Sequence, residues 1–279
     1  MNKFKTYLKH PFSFIMLILI CLAALVTVAS IIFIIIYILE KGIPNLTPEL
    51  FSINYNSKNQ SMLPSIINTV YITFFTLLCA VPIGIFSAIY LVEYAKRGSK
   101  LVKVIRITTE TLAGIPSIVF GLFGFLAFVL ALGWGYSMIA GILTLTMMVL
   151  PTIIRTTEEA LLAVPDSYRE GSFGLGAGKL RTIFKIILPS AVPGILSGVI
   201  LAIGRIVGET AALIYTSGTV AEMSTNLMDS ARTLSVHLYC LLSEGLFTNQ
   251  AYATAVILLV LVVGINALSN FIAKKIAKT

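Results

Sequence analysis

Two ionisable side chains, Arg205 and Glu209, interrupt a stretch from 186 to 221 that carries no other Asp, Glu, Lys or Arg. A guanidinium is a planar fork of donors that matches the oxygens of phosphate. A carboxylate can accept a hydrogen bond from a protonated phosphate, whereas dianionic sulfate has no proton to give. Together the two types would handle an anion and favour phosphate over sulfate. Four residues apart, they are expected to share one helix face. That leaves a second reading open, an ion pair that neutralises itself within an apolar segment. A charge at a membrane helix centre costs about 2.5–3.5 kcal/mol on insertion scales, so such residues face a bundle interior or a water-filled path.

A second set lies in Arg155-Thr156-Thr157-Glu158-Glu159, directly after an apolar run. Arg155 either guides an anion out or anchors its helix by snorkelling. Glu158 and Glu159 are adjacent and cannot both face one path, so Glu158, three residues from Arg155, is the expected member of the site. Covalent chemistry has no comparable candidates. Cys21, Cys79 and Cys240 show no metal or redox spacing, and His10 and His237 stand alone. No set of nucleophile, base or metal ligands appears, which argues against an enzyme.

The elements that hold these charges follow from composition. The chain has 279 residues, 57% hydrophobic and 11% charged, against about 25% charged in ordinary globular chains. Mean hydropathy is +0.96. A soluble domain of this size could not cover its surface with so little charge, and a disordered chain would be polar. An integral membrane protein remains. Runs without charge cover 11–39, 61–92, 111–154, 186–204 and 245–273. The first is too long for a signal-peptide core of about 7–15 residues and is expected to be retained. The third has 44 residues, and since about 20 residues cross a bilayer it holds two spans. The expected break is Gly133-Trp134-Gly135. Six helices result, and Pro116, Pro151 and Pro193 are expected to bend or bound them.

The net charge of +8 has a bland cause. With six spans, sixteen of the twenty basic residues fall on one side: Lys3, Lys5, Lys9, Lys96, Arg97, Lys100, Lys103, Arg106, Arg155, Arg169, Lys179, Arg181, Lys185, Lys274, Lys275 and Lys278. Only Lys41, Lys58 and Arg232 fall opposite. Both termini are therefore cytoplasmic, and the charge needs no nucleic acid to explain it. Small residues Gly194, Gly198 and Ala202 form one stripe on the fifth span, and Gly204, Gly208 and Ala212 another. Such stripes let helices approach closely, within one subunit or along a seam with a sister chain. Asn266, Ser269 and Asn270 either bond across helices or mark the end of the last span.

The cytoplasmic loop 165–189 is the most structured connection. Asp166 is placed to cap a short helix. Gly174, Gly176 and Gly178 permit a turn. Leu180, Ile183, Phe184 and Ile187 then form an expected apolar stripe on a second helix. That surface suits either a partner's groove or lipid headgroups. Gly178-Lys179 is not a phosphate loop, because Phe173 and Leu180 stand where Gly and Ser or Thr are needed.

Glu170-Gly171-Ser172, then Gly176, then Ile186-x-Leu188-Pro189 resembles the EAA loop of type I ABC importer permeases: Glu-Ala-Ala, three residues, Gly, nine residues, Ile-x-Leu-Pro. Gly171 and Ser172 replace the two alanines. The segments 113–124 (Ala-Gly-Ile-Pro-Ser-Ile-Val-Phe-Gly-Leu-Phe-Gly) and 204–212 (Gly-Arg-Ile-Val-Gly-Glu-Thr-Ala-Ala) look like signatures of phosphate importer permeases. The segments 233–237 and 249–255 resemble the PstA family rather than its PstC sisters. The resemblance covers roughly 61–271.

It implies an all-α, MetI-like permease fold with six transmembrane helices, in a prokaryotic cell membrane. Residues 1–60 would be the first helix and outer loop, 61–273 the permease domain, and 274–279 a cytoplasmic tail. Glu170, Gly171, Ser172, Gly176, Leu188 and Pro189 would couple to a separate ATPase. The implied partners are a PstC-like sister permease, two copies of a PstB-like ATP-binding subunit and a PstS-like extracytoplasmic phosphate-binding protein. ATP would bind the partner, leaving this chain without a cofactor. The rival expectations are a permease for another oxyanion or a phosphonate, and an ATP-independent channel or secondary transporter.

Overall fold

The computed structural model describes residues 11–96 and 98–276. Lys3, Lys5, Lys9, His10, Arg97 and Lys278 lie outside the described residues. In hydrocarbon a backbone N–H or C=O finds no water, so a spanning segment must pair its polar groups internally. The described regular elements are accordingly all helical. Helix α1 is Pro11–Gly42. Helix α2, Leu63–Ile89, ends in a π-helical stretch over Tyr90–Tyr94. Helix α3 is Lys100–Ala113, and α4, Ser117–Gly124, runs on as a π-helix over Phe125–Ala131. Helix α5 is Met138–Leu162. The cytoplasmic loop forms α6, Asp166–Gly174, and α7, Lys179–Thr182. A π-helical stretch, Ile183–Ile187, joins α7 to α8, Leu188–Val207. Then come α9, Ala211–Thr216, α10, Leu234–Glu244, and α11, Thr248–Ile276.

Five of these segments are long and apolar enough to cross a bilayer: Phe12–Asn45, Leu63–Tyr94, Met138–Leu162, Lys179–Val207 and Thr248–Phe271. Helices α3 and α4 meet at a bend of 102°, and counted as one crossing they make the sixth. The bend is local chemistry. Pro116 cannot continue a helix from Gly114 and takes φ −58° and ψ 141°, so the chain turns before α4 begins. The expected break after α4 is present, with Gly133 at φ +67° and Gly135 at φ +66°.

The central core joins α2, α4, α5, α8 and α9 through Ile72, Phe120, Leu145, Met148, Ile206 and Leu213. A second core at the cytoplasmic end joins Ala88, Leu161, Val164, Ile183, Ile187 and Ile195. The stripe at Gly194 and Gly198 packs on Ala160 and Thr156 of α5, within this subunit; a Cβ at Gly194 would stand 2.6 Å from that of Ala160. The second expected stripe does not form. Helix α8 ends at Val207, so Gly204 and Ala212 do not lie on one face; Gly204 borders open space while Ala212 packs against Gly121. The outer end of α5 would leave its first N–H groups orphaned. The end of α9 and the segment after it supply acceptors: Ser137 N–H donates to Thr216 O at 3.0 Å and Met138 N–H to Asp229 O at 2.8 Å.

Candidate functional site

The fifth span carries Arg205 in its last helical turn, and the chain then breaks over 208–210 before α9 resumes. This break corrects the expectation that Arg205 and Glu209 share a helix face. Four-residue spacing places two side chains together only while the helix continues, and it ends at Val207. The two form no ion pair in the structure; the ion pairs among the described residues involve other groups. Glu209 is instead 8% exposed and lies in the break. Its Oε1 accepts the Ala212 N–H at 3.0 Å, which satisfies a donor at the start of α9. Its backbone carbonyl accepts the Ser235 hydroxyl at 2.6 Å, tying the break to α10. Among the described residues, the second carboxylate oxygen makes no hydrogen bond.

Arg205 points elsewhere. It lines a cavity of about 610 Å³ with Thr152, Ser197, Ile200, Gly204 and Asn266, between the fourth, fifth and sixth spans. The guanidinium makes no hydrogen bond or ion pair among the described residues. Its neighbours Thr152, Ser197 and Asn266 add hydroxyl and amide groups. The arrangement offers one fixed positive charge and neutral polar groups to whatever enters.

At the cytoplasmic end of α5, Arg155 and Glu158, both expected on the path, do not contact each other. Arg155 Nε donates to Glu159 Oε1 at 3.0 Å, one turn on. Glu158, on a different face, pairs with Arg106 of α3. Spacings of three and four were both open to Arg155, and contact with α3 takes Glu158 away. Both remain at the membrane edge, near the end of the same span.

The loop between the fourth and fifth spans is a helix–turn–helix. Asp166 does not cap it: Pro165 occupies the cap position, and Asp166, already in the first turn, accepts from Arg169 Nη1 at 3.1 Å. Gly176, at φ +78°, makes the turn, and its N–H donates to Phe173 O at 2.9 Å. Ser172 is buried and its hydroxyl meets that of Thr182 at 2.8 Å, fastening α6 to α7. Glu170 and Gly171 are exposed, as is Pro189, while Leu188 packs on the cytoplasmic core. The predicted stripe divides. Ile183 and Ile187 are buried, whereas Leu180 and Phe184 are exposed. The π-helical stretch beginning at Ile183 turns less per residue, so a three-residue spacing no longer holds one face. With Tyr168, Phe173 and Leu175, which is 91% exposed, they form an uncovered apolar surface on a polar loop.

Two features escape reading from the sequence alone. Arg169, counted there only as a basic loop residue, reaches Glu93 at the end of α2: its Nε and Nη2 donate to Glu93 Oε1 at 3.0 and 2.9 Å. No local pattern signals a partner 76 residues away. On the outer side, Arg232 is only 5% exposed and lies over the Tyr55 ring, 5.1 Å from its centroid. His237 is fully buried against the same ring. Burial, reinforced by the Arg232 charge, lowers the His237 pKa from 6.5 to about 3, partly opposed by the Gln60 backbone.

Residues 80–278 match the family described as binding-protein-dependent transport system inner membrane component. A probable ABC transporter permease protein, YqgI of Bacillus subtilis (strain 168), is 39% identical over 64% of this chain and 65% of its own length. The phosphate transport system permease protein PstA of Mycobacterium leprae (strain TN) is 38% identical over 67% of this chain and 62% of its own. PstA of Yersinia pestis is 38% identical over 70% and 66%. The chain thus aligns with slightly less than two thirds of the length of these relatives. Among solved structures, a bacterial alginate ABC transporter in complex with an alginate-bound periplasmic protein covers 100% of this chain and 99% of its own, with a TM-score of 0.70 at 16% identity. An inward-facing MetNI methionine ABC transporter covers 76% of this chain and 93% of its own, with a TM-score of 0.60 at 21% identity. These structures share the fold.

Proposed function

The chain belongs to the family of binding-protein-dependent transport system inner membrane components, and on that premise we propose that it is a permease subunit of an ATP-driven inorganic phosphate importer. The observation that carries the substrate is the likeness to PstA relatives named as phosphate transport permeases. Arg205 supports it, as an unspent guanidinium in a largely apolar cavity among three spans to which Thr152, Ser197 and Asn266 add polar groups. The chain forms half of the translocation path and a sister permease the other half. Of two copies of an ATP-binding subunit, one seats against Tyr168, Phe173, Leu175, Leu180 and Phe184 of this chain's coupling loop and the other against the sister permease. An extracytoplasmic phosphate-binding protein delivers substrate. ATP is held and hydrolysed by the partner; this chain supplies no covalent chemistry and no cofactor.

The path runs past Arg205 and leaves near Arg155 and Glu158. Arg205 contributes the attraction. Glu209 has two tasks: one oxygen holds the broken helix open, and the other is available to a protonated phosphate. Alternating access follows from movement of the coupling loop, which is covalently continuous with the fourth and fifth spans.

The test is reconstitution with the ATPase, sister permease and binding protein in vesicles. ATP-dependent phosphate uptake is expected, with sulfate a poor competitor. Glu209→Gln keeps an oxygen acceptor for the Ala212 N–H but loses the carboxylate, so uptake persists while discrimination against sulfate falls. Unchanged discrimination would remove Glu209 from the path. Anion flux through this chain without the ATPase would defeat the importer reading, and preference for a phosphonate or another oxyanion would replace the substrate.

A further inference from the structure

The coupling loop is covalently continuous with the fourth span on one side and the fifth on the other. The second span has no such continuity with it, yet its end is tied to both limbs. Glu93 Oε1 accepts two hydrogen bonds from Arg169 of α6, at 3.0 and 2.9 Å. The next residue, Tyr94, presents its ring to Lys179 Nζ of α7, 4.7 Å from the centroid. Arg169 also reaches the end of the fourth span: Nη2 donates to Leu161 O and Nη1 to Val164 O, both at 2.9 Å. Leu161 lies in the last turn of α5 and Val164 two residues past its end, where carbonyls are left without intrahelical partners. The Glu93 and Arg169 side chains are only 9% and 15% exposed. The buried Ser172 and Thr182 hydroxyls join the two limbs.

From this convergence we propose that Arg169 is a positioning residue for coupling: it clamps the loop to the second span through Glu93 and to the fourth through the two carbonyls. Displacement of the loop by the ATPase is then delivered to three spans together. Without the clamp the fourth and fifth spans still follow the loop through the chain, while the second slips. A cavity of about 550 Å³ beside the clamp, lined by Glu93, Lys96, Arg106, Asp166 and Arg169, leaves room for that slip. The proposal rests on the importer reading for its transport readout but not for its distance readout.

The test uses the complete complex in vesicles, with Cys21, Cys79 and Cys240 replaced and spin labels at Phe86→Cys on α2 and Arg181→Cys on α7. In the wild-type background the label distance is expected to be the same without nucleotide and in the vanadate-trapped state. With Glu93→Gln, Arg169→Lys or Tyr94→Leu it should differ between the states. Transport per ATP hydrolysed should fall by about 2- to 30-fold with hydrolysis retained. The exchange Glu93→Arg with Arg169→Glu should recover part of the loss. Glu93→Gln removes only charge, so it reports even where an Arg169 variant does not assemble. Equal label distances in every variant would overturn the clamp, as would uptake and hydrolysis falling in proportion. Wild-type vesicles that hydrolyse ATP without importing phosphate would overturn the importer reading instead, with the label distances still deciding the clamp.

Discussion

Arg169 and Arg205 are the same side chain put to opposite uses. At the cytoplasmic end, Arg169 gives its donors to Glu93, Asp166 and the carbonyls of Leu161 and Val164. In the fifth span Arg205 gives none to the described residues and borders a cavity of about 610 Å³. A guanidinium with its donors spent fixes the positions of several elements relative to one another. One whose donors are unspent and open to a cavity has them available to an oxyanion. The same contrast runs through the carboxylates. Glu93 is consumed by Arg169, whereas Glu209 uses one oxygen on Ala212 and keeps the other.

The largest effect that would sharpen this contrast is on Arg205. Arg205→Gln should lower phosphate uptake by about 10- to 100-fold, the scale of losing hydrogen bonds to a charged group, while assembly with the ATPase is unchanged. Arg205→Lys keeps charge without the fork and should fall between. Uptake at the wild-type level in Arg205→Gln would break the comparison.

Arg232 separates unspent donors from true receptors. Its Nε and Nη2 are buried without hydrogen-bond partners, yet it is covered by Tyr55 and borders none of the cavities described above. Arg232→Gln should therefore leave uptake kinetics near wild type. Its neighbour gives a pH test. His237 is neutral when folded, with its pKa lowered to about 3, and an exposed imidazole takes up a proton near 6.5. Between those values the unfolded state binds more protons, so stability is fully present above pH 6.5 and falls as pH drops. The slope is about 1.4 kcal/mol per pH unit below 6.5. Thermal unfolding of the detergent-purified protein between pH 7 and 5 should show it, and His237→Gln should flatten the dependence.

How much of this was legible depends on the range of the interaction. The spans and the break at Gly133–Gly135 follow from runs of residues and local turn chemistry. The helix–turn–helix follows from spacing within 165–189. The bend at Pro116 was half visible, since proline bounds a helix without stating the angle. The break at 208–210 is not visible in the sequence, because Arg205 and Glu209 at a helical spacing read as one continuous helix, and what holds the break open is Ser235 and Ala212 in the folded chain. The Glu93–Arg169 clamp depends wholly on packing between distant segments.

The smallest predicted effect tests the satisfied region on its own terms. Gly171 stands in α6 where the related pattern has alanine, and a Cβ there would meet nothing within 4 Å. Its φ is not in the left-handed region, so alanine fits without strain. Glycine in a helix costs roughly 0.5–1 kcal/mol relative to alanine through lost chain entropy. Gly171→Ala should therefore stabilise the loop by about that amount and slow hydrogen exchange of the α6 amides, with transport per ATP unchanged. Slower exchange without any transport effect would mean that α6 already acts as a rigid lever, as the spent donors of Arg169 require. A rise in transport per ATP would mean that the loop yields under load, and that the contrast between a rigid coupling end and an open path is one of degree.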